Sequence, residues 1–197
     1  MRRRVFLRLS ASAVALFFAA GHTPYGQWTV FRKRHLLVGT SRTDVPTYDL
    51  GQKIAAMLFR YLPESKARVS RAPDQWRLAS LISTHQLDLV LLSSEDAVSL
   101  ADGADPFGDF GGVALNGLFR FGDYLLICRP DFPDRHAYLV SRTLSEHGGA
   151  IPGAQSMTDE YPAIPVHPGA LAFAEGHPLP SGEDIAETEA RREDHVH

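Results

Sequence analysis

The chain has 197 residues, 44% of them hydrophobic, and a formal net charge of −3 at pH 7. This length suits one ordinary domain or two small ones, and the apolar content is sufficient for a packed core. Beyond the amino terminus no face-long run of Lys or Arg occurs, so the charge pattern argues against nucleic-acid binding.

The amino terminus, MRRRVFLRLSASAVALFFAAG, has the pattern of an export signal over residues 1–21. A basic start is followed by a short apolar run that ends in small residues. The pair Arg3-Arg4 resembles the twin-arginine export motif, and a generic basic region of the general secretory route is the alternative. We expect a periplasmic protein, because the apolar run is short for a membrane span, and an uncleaved membrane anchor is the alternative.

Strand and helix patterns alternate along the first half of the chain. Apolar runs predict strands, and apolar residues at helical spacing predict helices between them. The predicted strands are 36–39, 67–70 and 87–92, and the predicted helices are 48–62 and 74–84. This order predicts an α/β fold with a mainly parallel sheet flanked by helices.

The second half begins with a loop rich in Gly and Asp, residues 101–112. Its acids Asp102, Asp105 and Asp109 raise the alternative of a calcium site, but the closing Glu of an EF-hand is missing, so a solvated loop is the default. Residues 113–130 then predict a strand, a turn and a strand. A helix over 133–147 follows, and Gly148-Gly149 ends it.

Residues 35–180 are therefore assigned to one α/β domain, and the charged residues 181–197 to a mobile tail. The carboxy-terminal helices are expected to pack back on the sheet, with core residues Tyr138, Leu144, Leu171 and Phe173. Cys128 is the only cysteine, so no intrachain disulfide can form. Its place in an apolar strand predicts a buried, inert thiol.

Three segments carry a resemblance to a known family: GTSRTDVPTYDLG after the first strand, LDLVLLSSEDA at the third, and PDRHAYLVSRTLSEHGG with the later PVHPGALAFAEG. The chain resembles the TAXI family of extracytoplasmic solute-binding proteins, the receptor subunits of one class of TRAP transporters. The resemblance implies a type II periplasmic-binding-protein-like lobe. It also implies a membrane permease as partner and a small carboxylate as ligand.

Two departures from the family pattern bear on function. Family members place the ligand between two α/β lobes, whereas this chain runs from Arg129 directly into its carboxy-terminal helices, so the second lobe is missing. The anion-binding glycines are replaced by Pro46 and Pro73, which remove backbone donors, and by Asp44 and Asp74, which place negative charge at helix starts.

The candidate ligand-binding residues lie at the ends of the first and third predicted strands. They are Ser41, Arg42, Thr43, Tyr48, Ser93 and Ser94. Arg42 is a candidate clamp for a carboxylate, and the strand ends of a parallel sheet form a binding crevice. The alternative is that all six are ordinary turn and capping residues. His167, in the HPGA motif, is expected to make structural hydrogen bonds.

No Ser/His/Asp set, Cys/His set, complete metal-ligand set or cofactor motif is evident in the sequence. We therefore expect a non-enzymatic, solute-binding-protein-like subunit without a cofactor, which binds a small organic anion weakly or docks to a partner protein. The alternatives are an accessory protein of a periplasmic oxidoreductase and an uncharacterised enzyme on the same scaffold.

Overall fold

Six strands and five helices make up the described part of the chain, residues 35–157 and 161–182 of a computed structural model. The predicted export signal, and the predicted tail from residue 183 on, lie outside the described residues. The strands are β1 Leu37–Ser41, β2 Arg68–Ala72, β3 Leu89–Ser93, β4 Asn116–Phe121, β5 Tyr124–Cys128 and β6 Ala154–Ser156. The helices are α1 Val45–Tyr61, α2 Gln75–Ser83, α3 Ser94–Asp102, α4 Asp134–His147 and α5 Pro168–Ala174.

The strands form one mixed sheet in the order β2-β1-β3-β5-β4-β6. β1 is parallel to β2 and to β3, while β5 is antiparallel to β3 and to β4, and β6 is antiparallel to β4. The expectation of a mainly parallel sheet is therefore wrong. The physical reason lies in the turn Gly122-Asp123, which joins β4 to β5 as a tight hairpin and so forces an antiparallel pair.

Helices cover both faces of the sheet, and each face has its own hydrophobic core. The core under α1 and α4 contains Ile54, Leu58, Phe119, Val140 and Leu144 among others. The core under α2 and α3 contains Leu78, Ile82, Val90, Leu100 and Ile127 among others. Since β3 is buried on both faces, its sequence is continuously apolar, and the predicted α/β class with helices flanking a sheet is confirmed.

The carboxy-terminal segments pack back on the sheet through α4. Tyr138 and Leu144 are buried as expected, but Phe173 is only half-buried and Leu171 is 42% exposed. The prediction for Leu171 is wrong because α5 is a short helix that turns Gly169 and Ala170, rather than its leucine, toward the protein interior.

None of the helices in the described ranges is long and apolar enough to cross a membrane. Helix α1 lies close against β1, because a Cβ at Gly51 would come within 2.5 Å of the Thr40 methyl carbon. This close contact fixes the start of α1 above the end of β1, where the candidate site lies.

Candidate functional site

The candidate crevice lies where β1 and β3 end, at one edge of the sheet. β1 ends at Ser41 and β3 at Ser93, and α1 and α3 begin directly after them. β5 runs in the opposite direction to β3, so Tyr124 at its start pairs with Ser93 at the same edge. The crevice is therefore lined by residues from three strands and two helix starts.

The hydroxyl groups of the first loop bind one another. Ser41 is fully buried, and its Oγ lies 2.9 Å from the Thr43 Oγ1 and accepts a hydrogen bond from the Thr43 backbone N–H at 3.2 Å. The Thr43 hydroxyl also donates to the side-chain oxygen of Gln75, at the start of α2. Two of the candidate ligand-binding residues are thus brought together, and their hydroxyls are hydrogen-bonded within the protein.

Side chains cap the starts of α2 and α3, and a side chain of α1 binds the end of β1. Thr47 in α1 accepts the Ser41 backbone N–H at 3.3 Å and donates its hydroxyl to the Asp44 carbonyl at 2.6 Å. Asp74 caps α2 by accepting the Arg77 N–H at 2.7 Å, as its position predicted. Ser93 caps α3 by accepting the Asp96 N–H at 3.1 Å. Fewer N–H groups are left for an anion.

Asp44 makes the crevice acidic rather than anion-binding. It precedes α1, but its side chain makes no capping hydrogen bond and instead accepts one from the Tyr124 hydroxyl at 3.2 Å. Burial raises the pKa of Asp44, and the nearby charge of Asp96 raises it further, against the lowering effect of the Tyr124 hydrogen bond. Burial and the Asp44 charge likewise raise the pKa of Tyr124. A second carboxylate would be repelled here.

Ser94 closes the other side of the crevice. Its backbone N–H and its hydroxyl both donate to the Asp123 carbonyl, at 2.7 and 3.0 Å. The Tyr161 hydroxyl lies 3.2 Å from the Ser94 Oγ and donates to it. This serine therefore ties α3 to the turn before β5 and to the segment before α5.

Arg42 and Tyr48 do not join this cluster. The side chain of Arg42 is exposed, and its backbone N–H donates to the Ala72 carbonyl at 3.0 Å. The ring of Tyr48 lies beneath the Arg71 guanidinium, 4.2 Å from centroid to carbon, and its hydroxyl accepts from Gln52 at 3.2 Å. The clamp geometry that would hold a carboxylate between Arg42 and the loop hydroxyls is absent from the described contacts.

A surface cavity of about 400 Å³ lies at the opposite end of β3, where β5 ends. Its lining includes the apolar residues Phe110 and Val113 and the polar residues His85, Arg129 and Asp131. Sequence patterns did not point to this site; the only signal was the charged run Arg129-Pro130-Asp131 directly after an apolar strand.

Arg129 is buried beside this cavity and holds two segments together. It donates to the Leu87 carbonyl at 2.6 Å, to Asp88 at 3.2 Å, and to both oxygens of Asp131 at 2.8 and 3.3 Å. Partial burial disfavours the Asp131 carboxylate, but the Arg129 hydrogen bonds and the nearby His85 outweigh this effect and lower the pKa of Asp131. This charged cluster stabilises the cavity wall.

His167 has a structural geometry. It is fully buried, its Nε2–H donates to the Phe132 carbonyl at 2.8 Å, and its Nδ1 accepts the Gly169 N–H at 3.2 Å, which caps α5. Gly169 is required because a Cβ there would overlap the Asp134 carbonyl oxygen of α4. The expected structural role of His167 is confirmed.

Cys128 has the surroundings of an inert thiol. Cys128 is buried, its Sγ faces the Asn116 carbonyl at 3.7 Å, and burial raises the pKa of its thiol well above the usual value, as an inert thiol requires. Across residues 35–157 and 161–182, no three His, Cys, Asp or Glu side chains are grouped to hold a metal ion.

The sequence reasoning missed Tyr124, Tyr161 and Gln75, which complete the crevice. All three come from distant segments, and Tyr124 reaches this edge only because β5 is antiparallel to β3.

Comparison with protein-family models and with curated proteins gives no match for the chain.

Proposed function

We propose that this chain is a single-lobed relative of the TAXI solute-binding proteins that acts in the periplasm without catalysis, by docking to a partner protein. The observation that supports it best is the crevice at the ends of β1 and β3. Its hydroxyls are hydrogen-bonded to one another or to backbone groups, and side chains cap α2 and α3. Asp44 and Asp96 also place negative charge where a carboxylate would sit. High affinity for a small ligand also requires burial of most of its surface, for which a single lobe has no closing half.

Calorimetric titration of the full chain tests the ligand part of this proposal. Glutamate and succinate are suitable probes, because both are small carboxylates of the class that the family resemblance implies. We expect no submicromolar binding by the wild type. Submicromolar binding that Arg42→Ala abolishes and Arg142→Ala leaves unchanged would overturn the proposal in favour of a working anion receptor.

Photocrosslinking in the native cell tests the docking part. A photoreactive amino acid is placed in turn at exposed positions on each face of the protein, and the adducts are identified by mass spectrometry. We expect adducts with one defined envelope protein, from neighbouring positions only. A permease subunit would identify a transport role, and an oxidoreductase subunit an accessory role. Adducts of no defined mass from every position would contradict docking.

The same preparations test export. Mass spectrometry of the protein from the cell envelope is expected to show a chain that begins after about residue 21, as signal-peptide patterns predict. A full-length species in the cytosol would contradict the periplasmic assignment.

A second candidate function is binding of a small molecule in the cavity beside Arg129. Its volume of about 400 Å³ falls within the usual range of ligand pockets, about 300–1,000 Å³. Apolar walls with a few polar groups, here His85 and Asp131, are also typical of such pockets. Screening of small amphipathic amines by NMR, with chemical-shift changes at Val113 and Ala114 as the readout, tests this candidate.

A further inference from the structure

The outer edge of β2 is open in the described part of the chain. β2 is the last strand of the sheet order and pairs over its whole length with β1. The Arg68 N–H donates to Leu36 and the Ala72 carbonyl accepts from Arg42, so these residues face β1. Because successive residues of a strand direct their backbone groups to opposite sides, the N–H and C=O of Val69 and Arg71 face outward.

Cationic side chains flank this open edge, and rings of α1 support them. The Arg68 guanidinium lies 5.5 Å from the Phe59 ring centroid, and that of Arg71 lies 4.2 Å from the Tyr48 centroid. Both arginines are exposed, and no carboxylate of residues 35–157 or 161–182 pairs with either of them. The rings hold the two guanidinium groups in place while leaving their charge available to a partner.

Apolar surface adjoins the same edge. Phe59, in the last turn of α1 before β2, is 49% exposed. Arg and Tyr are enriched in protein interfaces and Lys and Glu are depleted, so this composition is typical of a docking surface. We refer to β2 together with Tyr48 and Phe59 as the β2 strip.

Charge is unevenly distributed along the domain, and the β2 strip lies in its basic part. Residues 35–77 contain seven Lys or Arg against four Asp or Glu, whereas residues 78–182 contain four against thirteen. A partner segment that reaches β2 therefore meets a cationic surface, while the rest of the domain repels acidic chains. This asymmetry selects an acidic segment and orients it toward β2.

We infer that the β2 strip docks an extended, acidic segment of a partner protein, which adds to the sheet as a seventh strand. Backbone hydrogen bonds to Val69 and Arg71 would supply affinity, and carboxylates opposite Arg68 and Arg71 would supply specificity. A second copy of this chain fits less well, because each β2 edge carries Arg68 and Arg71 and no carboxylate, so two copies would bring four cationic side chains to one pairing. This inference rests on the proposed docking function and names its surface and partner chemistry.

Peptide binding to the full chain tests the inference. The probe is a fluorescent peptide of the repeat Glu-Val-Val, which places carboxylates three residues apart as Arg68 and Arg71 are. Binding is measured by anisotropy, and a peptide of the repeat Lys-Val-Val is the control. We expect the acidic peptide to bind and the basic peptide not to bind. Because surface charges are screened by salt, binding of the acidic peptide should weaken as ionic strength rises.

Three variants separate the two contributions. The double variant Arg68→Glu with Arg71→Glu should lower the affinity for the acidic peptide by about tenfold or more, since it reverses both charges. Val69→Pro removes an outward N–H at an edge position, where proline is tolerated, and should weaken binding even at high salt. Arg142→Glu, on α4, is the matched charge control and should bind as the wild type does. Circular dichroism verifies that each variant is folded.

Three results would overturn the inference. The first is that the wild type does not bind the acidic peptide. The second is that Arg142→Glu loses as much affinity for this peptide as the Arg68→Glu and Arg71→Glu double variant does. The third is concentration-dependent dimerisation in sedimentation that the same double variant abolishes. The last result would identify a second copy as the occupant. If peptide binding fails while photocrosslinking still captures one partner from another face, docking stands and only this surface is wrong.

Discussion

His167 makes the stability of this protein sensitive to mild acid. Its Nε2–H donates to the Phe132 carbonyl and its Nδ1 accepts the Gly169 N–H, so the neutral imidazole satisfies both contacts. A proton on Nδ1 would face the Gly169 N–H and remove the cap of α5. The Asp134 carboxylate, 3.7 Å from Nδ1, only partly favours the charged form.

The direction of the effect follows from proton linkage. Burial lowers the pKa of His167, although the Phe132 hydrogen bond and the Asp134 charge oppose this. In the unfolded chain the imidazole has its ordinary pKa of about 6.5. Below that pH the unfolded state binds more protons than the folded state, so the free energy of unfolding falls. One proton corresponds to at most about 1.4 kcal/mol per pH unit.

Urea unfolding at pH 7.5, 6.5 and 5.5 (values chosen to bracket the unfolded pKa, roughly 6.5) measures this slope. His167→Asn keeps an acceptor for the Gly169 N–H but cannot titrate, so its unfolding free energy should depend less on pH than that of the wild type. His177→Asn, at an exposed histidine, is the control and should retain the wild-type slope. Equal slopes for the wild type and His167→Asn would refute the argument.

Three further predictions concern packing. Truncation after Phe132 should abolish folding, because it removes the fully buried side chains of Val140, Leu144 and Ile164. Burial of each contributes about 1.5–3 kcal/mol, and the total free energy of unfolding of such a domain is about 5–15 kcal/mol. Truncation after Gly182 should leave the melting temperature nearly unchanged. Leu144→Ala should lower the unfolding free energy by about 2–5 kcal/mol and Leu171→Ala far less, since only the first is buried; equal losses in denaturant melts would contradict the packing of α5. Gly169→Ala should destabilise by about 1–3 kcal/mol in the same assay through overlap with the Asp134 carbonyl, and an unchanged midpoint would show that α5 can move away.

The local patterns predict most of the elements but not how the strands pair. Strands and helices occur where apolar runs and helical spacing predict them. Both faces of the sheet are covered by helices, so the buried positions coincide with the apolar residues of the sequence. The antiparallel β5 depends on the Gly122-Asp123 hairpin, and the alternating βα pattern before it favoured continued parallel pairing. The exposure of Leu171 depends on the shortness of α5, which its periodicity did not predict.

The candidate site follows the same division between local and distant contacts. The capping roles of Asp74 and His167 were predictable because a cap acts within two or three residues of its own position. The bonds from Tyr124 to Asp44 and from Tyr161 to Ser94 join residues 80 and 67 positions apart, so they depend on strand order and not on any motif. The β2 strip was likewise invisible, since edge position is a property of the whole sheet.

The crevice and the open edge of β2 differ in the charge that a carboxylate would meet. Asp44 lies between α1 and β5, and burial beside Asp96 already raises its pKa, so an incoming carboxylate there would add to an existing repulsion. At β2, by contrast, Arg68 and Arg71 lie over aromatic rings and have no described carboxylate partner. A carboxylate of a ligand would therefore be repelled by Asp44 in the crevice and attracted by Arg68 and Arg71 at the β2 edge.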